Sequence, residues 1–303
     1  MRMREQSTVV IACGLAMVAV LQGQVQQQPP PTPAGQPPAA GQGRRGGGRG
    51  GAPIPFENVT GFDKIFDGAT LTNWDGDPGF WRVEGGAIVG ETTAKNPLGE
   101  NTFLIYRGSE PDNFELKLEF RMNATNSGVQ YRSRQLTGAV GKWVLCGYQA
   151  DIDFANSYTG MLYEERGRPG FLAPRGTVQY AGPNDVKQGQ CSSGQPVAPR
   201  GQGAGRASGA AEPPPPPPPL RGQIGQVQDG EALRAIIKVN DWNQFQVIAR
   251  GNTLIHVLNG HVTAIFIDDD QANRSMKGLI GVQLHVGAPM KVEFRSIYLK
   301  NLR

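Results

Sequence analysis

Residues 114–122 read Phe114-Glu115-Leu116-Lys117-Leu118-Glu119-Phe120-Arg121-Met122, apolar and charged in strict alternation. Successive side chains of a β-strand point to opposite faces, so this period makes one face apolar and the other solvated. The stretch is the half-buried strand of a sheet that covers a core. Shorter runs of the same kind lie at 87–90, 103–106, 128–134, 144–153 and 160–164, and again at 244–249, 253–258, 262–267, 279–285 and 290–299. Turn signals separate them: Glu84-Gly85-Gly86, Asn126-Ser127-Gly128, Arg250-Gly251-Asn252 and Asn259-Gly260. Asn259-Gly260 supplies the left-handed residues of a type I′ turn and predicts a hairpin within 244–267. Helical periodicity is confined to a turn or two at 231–238 and 270–276. Many short strands without helices predict an all-β fold, a jelly-roll sandwich of two antiparallel sheets.

Composition sets the limits of that domain. The chain has 303 residues with 42 Gly and 24 Pro. Residues 22–53 hold nine Gly and seven Pro, and 188–223 hold seven Gly and nine Pro, including the run Pro213 to Pro219. Outside these stretches Pro falls to a normal globular share. The expected organisation is a signal peptide at 1–23, a disordered Gly/Pro/Gln-rich linker at 24–55 and a domain at 56–303 carrying a disordered insert at 188–223. Pro cannot donate to a central ladder, so the insert belongs between strands. The formal charge is +4 overall, but the amino-terminal stretch, linker and insert carry +6, which leaves −2 on the folded part. A domain of that charge has no electrostatic footprint for nucleic acid.

Arg2 and Arg4 precede an apolar run from Val9 to Leu21, the pattern of a secretory signal and too short for a membrane span. A secreted or periplasmic protein is expected, not one held by a lipid anchor at Cys13. Of the three cysteines, Cys13 leaves with the signal and Cys191 lies in the insert, so Cys146 has no cysteine within the folded part to pair with and is expected unpaired. A Cys146–Cys191 bond is the one alternative left open, with nothing in the sequence to support it. Metal spacing of the Cys-x-x-Cys kind is absent.

No phosphate loop, dinucleotide fingerprint, zinc-protease helix or nucleophile elbow is present. A jelly roll also invites the reading of a glycosidase with paired carboxylates on one strand. Here Gln149-Ala150-Asp151-Ile152-Asp153 puts Gln where the nucleophile would stand, which argues against ordinary hydrolysis. Period two places Gln149, Asp151 and Asp153 on one strand face. Gln130, Arg132 and Arg134 share another, as do Leu162 with Glu164 and Gln283 with His285. Such a polar face is either the solvated exterior or a concave sheet that binds something polar. The bland alternatives are ordinary ion pairing for Arg132 and packing for His256, Trp81 and Trp242.

Taken in order, these words resemble the 3-keto-disaccharide hydrolase family, which includes 3-keto-glucoside 1,2-lyases and 3-keto-2-hydroxyglucal hydratases. The resemblance runs from about 62 to 300. It starts with Phe62-Asp63-Lys64-Ile65-Phe66-Asp67-Gly68 and Trp81-Arg82-Val83-Glu84-Gly85-Gly86. It continues through Asn126-Ser127-Gly128-Val129-Gln130-Tyr131-Arg132, Gly147-Tyr148-Gln149-Ala150-Asp151-Ile152 and Gly160-Met161-Leu162-Tyr163-Glu164-Glu165. Asp241-Trp242-Asn243, Asn259-Gly260 and Gly278-Leu279-Ile280-Gly281-Val282-Gln283-Leu284-His285 complete it. Gln149 and Asp151 depart from the Glu and Gln that many members carry there.

The resemblance implies a concanavalin-like jelly roll acting on sugars already oxidised at C3. A ketone at C3 acidifies the C2 proton, so a modest base can remove it and the C1 substituent leaves by β-elimination. Water then adds across the enone, giving net hydrolysis. In those terms Asp151 or Glu164 is the base or a metal ligand, and His285 the acid or a further ligand. Arg132 steadies the enolate, while Gln149, Asn126, Gln283 and Tyr163 hold the sugar. A divalent metal is the one cofactor the resemblance allows, and a small oxidised glycoside the partner it implies. The constellation requires Asp151 and His285 on the same sheet. The alternative is a non-catalytic carbohydrate-binding module or lectin on the same scaffold.

Overall fold

The computed structural model describes residues 56, 58–136, 141–183 and 221–303. The signal, the linker and most of the insert lie outside them. The chain forms β1 (Asp63–Lys64), β2 (Trp74–Asp75), β3 (Trp81–Glu84), β4 (Ala87–Glu91), β5 (Thr102–Tyr106), β6 (Phe114–Met122), β7 (Asn126–Leu136) and β8 (Val144–Asp153). It continues with β9 (Leu162–Glu165), β10 (Thr177–Ala181), β11 (Arg221–Gln226), α1 (Gly230–Ala235), β12 (Asn243–Arg250), β13 (Thr253–Leu258), β14 (His261–Asp268), β15 (Leu279–Leu284) and β16 (Lys291–Asn301). One sheet has the order β11-β10-β14-β13-β12-β6-β16-β4-β3, with β1 on β16, and the other the order β2-β5-β15-β7-β8-β9. The chain crosses repeatedly between the two, as a jelly roll does: β4 to β5, β5 to β6, β6 to β7, β14 to β15 and β15 to β16. Pairing is antiparallel except between β10 and β14.

The alternating stretch behaves as its pattern requires. Phe114, Leu116, Leu118, Phe120 and Met122 are buried, in register with Ala249, Val247, Phe245 and Asn243 of β12 for the first four. The opposite sheet meets them with Val129, Tyr131, Tyr148, Ala150 and Ile152. Tyr131 sits edge-on to Phe114 at 6.1 Å and stacks on Tyr148 at 5.7 Å. Each such side chain, fully buried, contributes about 1.5–3 kcal/mol. His256 is a packing residue in this core: its ring lies against Tyr131 and Phe245, its Nε2 is 2.9 Å from the Tyr131 hydroxyl, and burial pushes its pKa down to about 4. Trp242 also packs, flat under Arg295 at 3.7 Å, and Trp81 is buried. Asn259 and Gly260 have φ of 48° and 83°, as the hairpin turn demands.

Several features differ from expectation. The short strands β1, β2 and β10 carry no alternation long enough to notice, and β3 is only four residues. The stretch 188–223 ends in structure, because β11 begins at Arg221 and pairs with β10. Residues 270–276 form turns, whereas α1 is a real helix whose first turn is capped by Asp229 accepting from the Ala232 amide at 2.8 Å. Cys146 is disulfide-bonded, to a partner outside the described residues, contrary to the unpaired state expected for it.

Candidate functional site

The site grows from the outward parity of β8 and its neighbours. Tyr148, Ala150 and Ile152 point into the core, which turns Gln149, Asp151 and Asp153 onto the other face of the six-stranded sheet. Register places Gln130 of β7 opposite Gln149, Gly128 opposite Asp151 and Asn126 opposite Asp153. On the other side of β8, Tyr163 pairs with Gln149 and Glu165 with Gly147. Gly128 makes room: a Cβ there would lie 2.4 Å from the Gln149 Cδ, so the amide of Gln149 occupies that space.

This face is concave. Gln283 on β15 and Glu165 on β9 are separated by two strands, roughly 14 Å on a flat sheet. Their side chains nevertheless meet, Gln283 Nε2 to Glu165 Oε2 at 3.4 Å, and Asn101 Nδ2 reaches the other Glu165 oxygen at 3.4 Å. His285 follows β15 directly, part-buried, just past the end of a strand of the sheet that carries Asp151. Its Nδ1 donates to the Val286 carbonyl at 2.5 Å, which leaves Nε2 as the nitrogen able to exchange a proton.

A directed chain of hydrogen bonds ends on Asp151. The Ser133 hydroxyl donates to Gln130 Oε1 (2.6 Å), Gln130 Nε2 to Gln149 Oε1 (2.7 Å), and Gln149 Nε2 to Asp151 Oδ1 (2.7 Å). Asn126 Nδ2 donates to the other oxygen at 3.0 Å. Bonds aligned in one sense reinforce each other and favour a charged terminus. Burial works against that charge and dominates. With Asp151 only 3% exposed, desolvation pushes its pKa up to about 7. The Gln149 and Asn126 donors pull it down, and the charges of Asp153 and Glu165 push it further up. Glu165 is also raised by burial, against the opposing pull of Asn101, Arg166, His285 and Gln283. Two perturbed carboxyls that sense each other, with an imidazole beside one, form an acid–base constellation.

Two expected members stand elsewhere. Glu164 is turned inward by the same alternation that presents Glu165 outward. It binds Arg168 through Nε at 2.8 Å, and Arg168 also holds Asp268 at 2.7 Å and Asp270 at 3.5 Å. For that guanidinium burial alone would lower the pKa, but Asp268 and Glu164 outweigh it and hold the group firmly charged. Arg132 sits in a bulge of β7 with φ 46°, and its guanidinium is spent on backbone carbonyls: Asp112 at 2.6 and 2.9 Å, Gly251 at 2.8 Å and Ser275 at 3.4 Å. Neither side chain joins Asp151. Conversely, Glu165, Asn101 and Ser133 belong to the face without sequence reasoning having pointed to them, while Gln130 stands on it as its strand parity implied. Glu165 shares the parity of Tyr163, but no local signal separates that half of β9 from the half that carries Glu164.

No three His, Cys, Asp or Glu side chains among the described residues converge in a set that could hold a metal ion. The carboxylate–imidazole ligand set expected around Asp151 is therefore not what these residues form, and both Asp151 oxygens already accept from amides. No helix among the described residues is long and apolar enough to cross a membrane.

The chain matches the model of the 3-keto-alpha-glucoside-1,2-lyase-like domain over residues 61–300 and belongs to that family. No curated protein matches it. Solved structures similar to it include a candidate glycosyl hydrolase from Parabacteroides distasonis, 18% identical over 80% of this chain and 99% of the other, with a TM-score of 0.42. A carbohydrate-binding module from Bacillus subtilis is 12% identical over 76% and 96%, with a TM-score of 0.39. A protein with a galectin-like fold, also from Bacillus subtilis, is 11% identical over 79% and 94%, with a TM-score of 0.45.

Proposed function

We propose that this member of the 3-keto-alpha-glucoside-1,2-lyase-like family cleaves 3-keto-glucosides by β-elimination across C1–C2, hydrates the resulting enone, or does both. The observation that supports this is Asp151, a buried carboxyl poised near neutrality at the end of a donor chain on a concave sheet. As a carboxylate it takes the C2 proton, and the electron pair forms the enolate onto the C3 oxygen. Collapse of the enolate expels the C1 oxygen, which takes a proton from Glu165 or His285 and leaves as an alcohol. In hydration the same groups work in reverse order: one deprotonates water for attack at C1, and Asp151 returns a proton to C2. A base with a pKa near the working pH suits both directions.

With Arg132 occupied, the donors left for the enolate oxygen are the amides of Gln283 and Asn101 and the imidazole of His285. Water must be scarce around Asp151 for its pKa to stay high, and the burial of Gln130, Gln149 and Gln283 agrees with that. The amino-terminal signal would place the reaction in the periplasm or outside the cell.

The competing reading is a carbohydrate-binding module without catalysis, favoured by the partly exposed rings of Tyr158, Phe171 and Tyr163 beside the face. The deciding experiment is incubation of the protein with a 3-keto-glucoside, following enone absorbance and free 3-keto-glucose, with Asp151→Asn as control. Appearance of either product, lost in the variant, supports the enzyme. Binding without either product supports the module.

A further inference from the structure

The ten-stranded sheet has an outer face that the site on the other sheet does not use, and that face is divided in two. On β6 it presents Glu115, Lys117, Glu119 and Arg121, the charged set of the alternating stretch. This half satisfies itself: Lys117 pairs with Glu115, Arg121 with Glu293 and Glu119 with Arg295. The neighbouring strands abandon the pattern. Ile248 of β12 stands opposite Glu115, Ile255 of β13 opposite Ile248, Ile265 of β14 opposite Ile255, and Val178 of β10 opposite Ile265. One cross-strand row is therefore aliphatic and β-branched over four strands. Val257 and Val262 pair on one side of it, Ile267 and Tyr180 on the other. On β13 and β14 both parities are largely apolar, the composition of strands that are covered on both faces.

The described residues cover only one of those faces. The inward side chains, Leu254, Leu258, Ala264 and Phe266 among them, belong to the core shared with the second sheet. None of the outward ones is in that core or packed against it, and each stays partly exposed. The helix α1 does not roof them. It is tied to the end of the sandwich, where Arg234 reaches the Ala155 carbonyl and Asn259 donates to the Ile236 carbonyl. At the far side Ile224, the residue that the β10–β11 register skips, is 60% exposed. A contiguous aliphatic face left to water marks an interaction surface.

We propose that a second copy of the chain docks on this face, the two outer sheets packing against each other about a two-fold axis near Ile255 and Ile265. An uncharged aliphatic surface is complementary to itself, as an isologous contact requires. Interfaces between unlike proteins concentrate aromatic residues and Arg, whereas those of homodimers resemble a domain core cut in half. The row of Ile and Val is of the second kind. Two twisted sheets also pack face to face at about 10 Å, the arrangement that each copy already uses inside its own sandwich. Five strands wide from β12 to β11 and about six residues long, the face measures roughly 24 Å by 20 Å on a flat sheet. Two copies then bury on the order of 1,000 Å², the lower end for a specific interface, so the dimer is weak and reversible, with a Kd in the micromolar range.

The test is sedimentation of the secreted protein from about 1 to about 500 µM, a range that spans such a Kd. Wild type should pass from monomer to dimer, and no larger species should form, because an isologous contact closes. Ile255→Lys with Ile265→Lys buries unpaired charge on both copies and should raise Kd by about 100-fold or more. Ile255→Thr with Ile265→Thr keeps the β-branched shape that the strands favour, and should raise Kd at least about ten-fold. Melting at the lowest concentration, where all three proteins are monomeric, should be nearly the same for wild type and the Thr variant, which separates loss of association from loss of fold. A wild type that stays monomeric to the highest concentration overturns the proposal. If a variant lacking 193–219 then dimerises, the insert that joins β10 to β11 is the occupant instead. A dimer whose Kd neither pair of substitutions moves also overturns it, because association then uses another surface.

Discussion

Replacing Asp151 by Asn should remove activity and, above neutral pH, stabilise the fold. Asp151 titrates near 3.8 when unfolded and is pushed up to about 7 in the native protein, chiefly by burial. A folded pKa above the unfolded value means the native state binds the proton more tightly. The associated stability is fully present below pH 3.8 and is lost as pH rises through 7. A rise of about three units, at about 1.4 kcal/mol each, makes the buried carboxylate cost about 4 kcal/mol above pH 7. Asparagine never ionises, so the variant escapes that cost. Its amide must face one donor where the carboxylate accepted two, which costs about 1 kcal/mol unless Asn126 turns its amide over. Urea midpoints for both proteins from pH 5 to pH 9 should therefore be close at the acid end and separate by about 2–4 kcal/mol at the alkaline end, with the variant the more stable. Parallel curves across that range would mean that Asp151 is not the strained base described here, whatever the variant does to turnover.

Glu164 and Glu165, adjacent in sequence, should respond oppositely. Glu165→Gln should depress turnover by about 10²–10⁴-fold with little change in urea midpoint, as loss of a proton-transfer group does. Glu164→Gln should cost about 3–5 kcal/mol of stability by stripping Arg168 of a buried partner, with residual activity that follows the folded fraction. Arg132→Lys cannot reproduce the fork onto Asp112 and Gly251, so it should lower the melting temperature while leaving the pH–rate profile unmoved; a shifted profile would return Arg132 to the site.

The sandwich could be read from the chain because its signal is local. Phe114 to Met122 alternates without interruption, and its inward set is what packs against β12 and the opposite sheet. The polar face could be read the same way wherever alternation holds, which is why Gln149, Asp151 and Gln283 were found. It misleads at two places, for two physical reasons. Parity transfers along a strand only while the pleat is regular, and β7 bulges between Tyr131 and Arg134, so counting by twos from Gln130 put Arg132 on a face it does not share. On β9 the count was sound, but Leu162 and Glu164 were the wrong half of it: a one-residue shift exchanges every inward and outward group. Nothing within Tyr163-Glu164-Glu165 says which glutamate is buried against Arg168, because that depends on Asp268, more than a hundred residues away. The curvature that brings Glu165 to Gln283 is likewise a property of the whole sheet. Short-range pattern therefore reports which residues share a face, and long-range pairing decides which face is the site.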